Sequence, residues 1–400
     1  MTIGITIAAT IQERMNTPPQ FDAAWFRHVL TDLILPRWLE HAATGEGLFL
    51  PQLDSRWRPA EQRFGTVVSQ TRLIYNFAEG YRLTGDARYL RAVRAGTDFL
   101  LQSFRDHTHD GFYHAVGPGG RVLEDGKDSY DHAFAVFALA HACDVTGEAS
   151  YGQGLHDTWD VICRHFRDEH GGLIRNMSRD FQPRDNRRTQ NPVMHLFEAL
   201  LAAAKVDPAM LAYAAETADF VRGLLKPVGH CACLPEFYTL NWEELPASRK
   251  GMVSVGHQFE WAFLLSAAVE QGLPADLLED AARLLDFGMR YGYDPTEGGT
   301  IVSTTSNGSA LSSEKGWWEQ CELVRALLHH VVRRGREDLW AHATQSIAFV
   351  KECFADERHG GWHGRPEPPG GHAQSPKGNA HKVDYHVVAM CVEAIRLGGA

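Results

Sequence analysis

Residues 256–272 read GHQFEWAFLLSAAVEQG, and residues 191–206 read NPVMHLFEALLAAAKV. Ala, Leu, Val and Phe fill most of the helical circumference in both, the mark of a helix buried on all sides. Yet each carries His-x-Phe-Glu near its start, at His195 to Glu198 and at His257 to Glu260. The i, i+3 spacing puts imidazole and carboxylate on one helical face. A buried helix gains nothing from such residues unless they are paired or used.

Four more stretches share the pattern: VVSQTRLIYNFAEGYRLTG from Val67, SYDHAFAVFALAHACDVTG from Ser129, GWWEQCELVRALLHHVVRRG from Gly316 and HKVDYHVVAMCVEAIRLGG from His381. A Gly-rich turn after an acidic residue recurs at intervals of about 60 residues or twice that, at Asp110, Asp168, Asp294 and Asp356. More amphipathic helices, such as those from Asp86 and Pro208, alternate with the apolar ones and suit an outer position. Six helical hairpins predict an all-α fold, an (α/α)6 barrel formed by residues 1–400 as one catalytic domain. Inner-to-outer links are tight turns, whereas outer-to-inner links are long and gather at the face where the inner helices begin. Helix N-termini there favour oxyanions. Asn191 with Pro192, and Asn379 or Gly378, are the expected helix-start signals.

Composition narrows the function. An apolar share of 44% with 22% charged residues is that of a soluble globular protein, and no apolar run is long enough to span a bilayer. The N-terminus has no basic segment and no clear cleavage site, so a cytoplasmic location is expected. Seven cysteines without a CxxC pair suit a reducing compartment and give no structural zinc site. A formal net charge of -11 argues against nucleic acid as a partner. A neutral small molecule is the easier ligand, and a homo-oligomer is compatible with the sequence.

Polar residues recur once per repeat near the inner-helix starts: Arg72; Tyr130, Asp131 and His132; His195 and Glu198; His257, Glu260 and Trp261; Trp317, Trp318, Glu319 and Glu322; His381, Lys382, Tyr385 and His386. Each His–Glu pair is either a buried structural hydrogen bond or a tuned acid/base group. Zinc or manganese ligation is the competing use, but no HExxH or HxH spacing lies on an inner helix. His107, His109, His329 and His330 read as surface or loop residues. The carboxylates keep glycoside hydrolysis open, while the regularity of histidine favours proton abstraction beside a carbonyl. Trp317 and Trp318 either stack on a sugar or pack at the rim. Residues 301–315, IVSTTSNGSALSSEK, read as a lid or an ordinary flexible loop.

TRLIYNFAEGYRLTGD, NPVMHLFEALL, GHQFEWAFLL, GWWEQCE and KVDYH, in this order and spacing, resemble the N-acylglucosamine 2-epimerase superfamily over nearly the whole chain. Asp384-Tyr385 before the last histidine, where the cellobiose epimerase pattern has proline, favours the D-mannose isomerase branch. The resemblance implies a barrel acting on a free monosaccharide without metal or redox cofactor. By motif position it implies His257 and His386 as acid/base residues. Arg72, His195 and Glu260 then hold the substrate, and Tyr130, Asp131, Trp318 and Glu319 are added as substrate-binding candidates from their place at the barrel mouth. The expected reaction is aldose–ketose isomerisation of mannose and fructose through a cis-enediolate; 2-epimerisation of glucose/mannose, cellobiose or N-acylglucosamine is the alternative.

Overall fold

Helices form where the apolar runs lie. The computed structural model describes residues 21–245, 251–367 and 375–399, so the N-terminal stretch read for a signal lies outside the described residues. The described residues begin with three consecutive helical segments, Ala23–His28, a π-helical Val29–Ile34 and Leu35–His41 (together α1). It continues through α2 (Val67–Thr84), α3 (Ala87–Phe99), α4 (Ser129–Thr146), α5 (Ala149–Val161) and α6 (Asn191–Ala203). Then come α7 (Met210–Leu224), α8 (Val255–Glu270), α9 (Leu277–Tyr291), α10 (Trp317–Arg334), α11 (Trp340–Cys353) and α12 (Tyr385–Gly398). Even-numbered helices are buried over most of their length and pack on one another in sequence, with α12 returning to α2. Odd-numbered helices lie outside them. The expected (α/α)6 barrel is the fold, and among the described residues no helix is long and apolar enough to cross a membrane.

The tight turns end in left-handed glycines: Gly85, Gly147 and Gly335 close α2, α4 and α10 at φ of 69°, 70° and 68°, a conformation that costs glycine nothing. The long loops carry short antiparallel ladders. Gly65–Thr66 pairs with Ala115–Val116, Lys127–Asp128 with Asn176–Met177, Arg188–Thr189 with Phe237–Tyr238, and Met252–Ser254 with Ser303–Thr305. Each ladder ties the residues leading into one inner helix to the loop of the next repeat, and the bridge Leu53 to Gly378 joins the last repeat to the first.

The recurring acidic turns have a use that their spacing did not reveal. Asp168, Asp294 and Asp356 each accept backbone N–H groups of their own turn. Each also binds a cation from just before the following inner helix: Arg188 at 2.9 Å, Lys315 at 2.8 Å, and Lys377. In the earlier repeat this position is held by Asp106, which binds Lys127 at 3.1 Å, and not by Asp110. Asp110 lies four residues on and pairs with exposed Arg164 instead. Lys127 and Asp106 are wholly buried, and neither charge can be left alone without a large desolvation cost. The clamp fixes the loop to the barrel.

Three expectations change. Asn191 is the first residue of α6 and not its N-cap, and its Oδ1 has no hydrogen-bond partner among the described residues. The last inner helix begins at Tyr385, not His381, because Asp384 is left-handed at φ 55°. Trp38 Nε1 donates to one Asp384 oxygen at 2.9 Å and Lys382 Nζ to the other at 2.7 Å. Asn379 therefore caps only a turn, accepting from the backbone N–H groups of His381 and Lys382. His329 and His330 are buried on α10, whereas His107 and His109 are exposed as read. His329 bridges Glu393 at 2.8 Å and Ser266 at 3.0 Å, so partners inside the barrel make its burial tolerable.

Candidate active site

The starts of the inner helices surround a cavity of about 670 Å³. Eight of the nine expected site residues line it: Arg72, Tyr130, Asp131, His195, His257, Trp318, Glu319 and His386. Glu260 does not. It is wholly buried one turn below His257, and neither of its oxygens has a hydrogen-bond partner among the described residues. Burial and the neighbouring Glu322 and Glu198 push Glu260 well above the usual carboxylate range.

His257 and His386 flank one indole: the Trp318 ring is centred 5.0 Å from His257 and 5.3 Å from His386. Each imidazole is held from behind through Nδ1. Glu236 Oε2 lies 2.7 Å from His257 Nδ1, and Glu322 Oε1 lies 2.7 Å from His386 Nδ1. The expected pairing of His257 with Glu260 is thus replaced by a carboxylate from a loop. Glu236 sits low for a buried carboxylate, since contacts with His257, Gln190 and Thr189 outweigh burial. Gln190 Oε1 accepts from Trp261 Nε1 at 2.7 Å, which fixes its amide nitrogen as a donor to Glu236 at 2.8 Å. The same nitrogen lies 2.9 Å from His257 Nδ1, so Nδ1–H points to Glu236 rather than to Gln190. Nε2 makes no hydrogen bond among the described residues.

Burial, then Arg72 and His195, hold His386 well below the ordinary histidine value, so it is neutral at neutral pH. Burial raises its partner Glu322 to about 7, with Arg325 at 3.4 Å opposing part of that rise. The guanidinium favours the carboxylate form of Glu322 and with it the Nδ1–H tautomer of His386. The second expected pair does form, with His195 Nδ1 at 3.2 Å from Glu198 Oε2. Glu198 also accepts from the Tyr385 hydroxyl. Burial lowers His195, leaving a neutral ring on the cavity wall.

Arg72 is fixed by donating to the His381 carbonyl and the Tyr130 hydroxyl, both at 2.8 Å, and lies over the rings of Phe134 and Tyr385. Its charge is thereby held against the cavity without an ion pair among the described residues. Asp131 turns to His114 at 2.7 Å, and this contact lifts His114 to about 9, so the pair is ionic. Burial pushes Glu319 up to about 7. The 301–315 segment contributes Val302 and Ser303 to the cavity wall. Its Ser303–Thr305 strand is paired, and Lys315 ties its end to Asp294 and Glu297.

The model of the N-acylglucosamine 2-epimerase (GlcNAc 2-epimerase) family matches residues 47–390. The chain belongs to this family. It is 25% identical over 94% of its length to D-mannose isomerase of Marinomonas mediterranea, covering 98% of that protein. It is 26% identical over 91% of its length to mannose-6-phosphate isomerase of Rhizobium meliloti, covering 94% of it. The solved cellobiose 2-epimerase of Spirochaeta thermophila superposes with a TM-score of 0.85 at 24% identity, over 94% of this chain and 96% of that one. The last likeness shows the shared fold.

Two donor sets beneath the cavity lie close enough to share an ion: His195, Glu198 and Glu260, and Glu260, Glu322 and His386, with atoms within 4.8 Å of one another. Arg325 already occupies this cluster, 3.4 Å from Glu322 and 4.0 Å from Glu198. A chain-borne cation thus meets the carboxylate charge, and the histidine Nδ1 atoms are engaged by carboxylates. Residues of the site that periodicity did not point to are Glu236, Gln190, His114, Arg325 and Arg175, the last lining the cavity and paired with Asp128 at 3.3 Å. None repeats the His-x-Phe-Glu phrase; Glu236 and His114 come from loops, where periodicity carries no signal. Glu322 was noted by its place on the helix, though not as the partner of His386.

Proposed function

We propose that this protein interconverts D-mannose and D-fructose through a cis-enediolate, with His257 and His386 as the acid/base pair and no metal step. Residues 1–400 act as one catalytic domain in this reading. The carrying observation is two imidazoles facing one cavity across Trp318, each fixed through Nδ1 by a buried glutamate. This leaves both Nε2 atoms for the substrate. The named activities of the two isomerase relatives support the choice of sugar.

With the open-chain aldose bound, neutral His386 Nε2 takes the C2 proton. The C2–H electron pair forms the C1–C2 double bond, and the carbonyl pair moves onto O1 opposite Arg72. Return of the proton to C1, with the O2 proton passing to O1 through His257 and the collapse of O2 to a carbonyl, yields the ketose. His195 accepts a hydroxyl hydrogen bond through Nε2, and Trp318 stacks on the apolar face of the chain. Delivery of a proton to the opposite face of C2 would give the epimer. The fold shared with a cellobiose 2-epimerase makes that the second reading.

Proton NMR of D-mannose incubated with EDTA-treated protein in deuterated water separates them. Fructose as first product fits the isomerase, and glucose as first product assigns the epimerase. No product and no deuterium at C1 or C2 would refute enediolate chemistry on mannose.

A further inference from the structure

Residues 175–188, RNMSRDFQPRDNRR, hold five arginines in a chain of formal net charge -11. Three are engaged: Arg179 with Asp106, Arg188 with Asp168, and Arg175 at 3.3 Å from Asp128. Arg184 and Arg187 are exposed and form no ion pair among the described residues. The acidic residue beside them does not neutralise them by contact. Asp185 is committed to the backbone N–H groups of Arg175 and Asn176, at 2.9 and 2.7 Å, and to the Asn176 side-chain amide. Arg187 is laid over the Phe237 ring at 4.0 Å, which orders its guanidinium and leaves the edge N–H groups free.

These arginines line a pocket of about 430 Å³ that shares Arg175 and Phe237 with the wall of the active-site cavity. Arg184 and Arg187 are the free guanidinium donors of this concavity, since Arg175 is held by Asp128 and the lining Asp185 by its backbone partners, and two forked donors match the oxygens of a phosphate better than a sugar hydroxyl, which needs acceptors as well as donors. We propose that this pocket is an oxyanion subsite for a phosphomonoester on the end of the sugar remote from C1 and C2. The substrate class then includes hexose phosphates. The inference rests on the aldose–ketose reading for its turnover but not for its binding. Arg184 and Arg187 lie outside the acid/base machinery.

The test compares the wild type with the Arg184→Ala/Arg187→Ala double variant, using D-mannose, D-mannose 6-phosphate and inorganic phosphate. Calorimetric titration gives binding, and NMR gives turnover. The expected result is a kcat/KM for the 6-phosphate that falls about tenfold in the double variant and declines with added salt, while that for mannose is unchanged. Phosphate and the 6-phosphate should bind the wild type and bind the variant about tenfold more weakly. Equal binding by the two proteins, or no binding by either, overturns the subsite. If neither sugar is turned over but the 6-phosphate binds in an arginine-dependent way, the subsite stands and the isomerase reading fails.

Discussion

Glu236→Gln tests whether the loop carboxylate sets the state of His257. The two side chains have nearly the same shape, so the cavity is preserved and the charge is lost. In the parent, the carboxylate accepts from His257 Nδ1 at 2.7 Å and from Thr189 and Gln190 at 2.9 and 2.8 Å. A glutamine has one acceptor oxygen to serve three donors. Either its oxygen keeps Thr189 or Gln190 and its amide turns toward Nδ1, forcing the hydrogen to Nε2, or His257 retains Nδ1–H without a charged acceptor. A hydrogen bond to a charged group is worth about 1.5–3 kcal/mol, and about 1.36 kcal/mol is tenfold in rate. The expected fall in kcat is therefore about 10- to 150-fold, with KM changed far less because Glu236 supports the imidazole from behind. Mannose turnover followed by NMR, with helical circular dichroism as the fold control, measures it. A kcat within twofold of the parent, with native dichroism, would remove Glu236 from the positioning of His257. A parallel rise in KM with little loss in kcat would assign it to the cavity wall instead.

His257→Ala and His386→Ala should each lower kcat by about 10²- to 10⁴-fold with the dichroism unchanged; either variant retaining turnover removes that residue from proton transfer. The pH profile follows from His386, whose folded value is depressed by burial, Arg72 and His195. A base acts when unprotonated, so His386 itself stays competent below the ordinary histidine value of 6.5, and an acid limb near 7 reports protonation of Glu322 behind it. An NMR titration that shows the His386 imidazole itself protonating above 6.5 contradicts its assignment as the base. Lys127→Met leaves the buried Asp106 without its lysine, and urea unfolding should show a loss of about 3–5 kcal/mol, reduced by the remaining contact with Arg179. A loss below about 1 kcal/mol would mean that the clamp is incidental.

The barrel was legible in the apolar patterning of the chain. Apolar residues around the whole circumference of six stretches, with tight glycine turns on one side and long links on the other, leave one way to bury every inner helix. Side chains that reach the cavity from those helices were legible for the same reason: a helix fixes direction, so His195, His257, Trp318 and His386 followed from their distance to a helix start. What lies opposite each of them was not legible. His257 and Glu260 share a face by spacing, yet the charge partner of His257 is Glu236, because a neighbouring loop descends between α6 and α8 and brings its carboxylate nearer. Glu260 is left turned inward without a hydrogen-bond partner among the described residues. The start of α12 was likewise settled by Trp38, far away in sequence, which holds Asp384 in a left-handed turn. Periodicity encodes which face a residue occupies; the choice of partner depends on loops whose paths are set by contacts between repeats, and those contacts exist only once the barrel has closed.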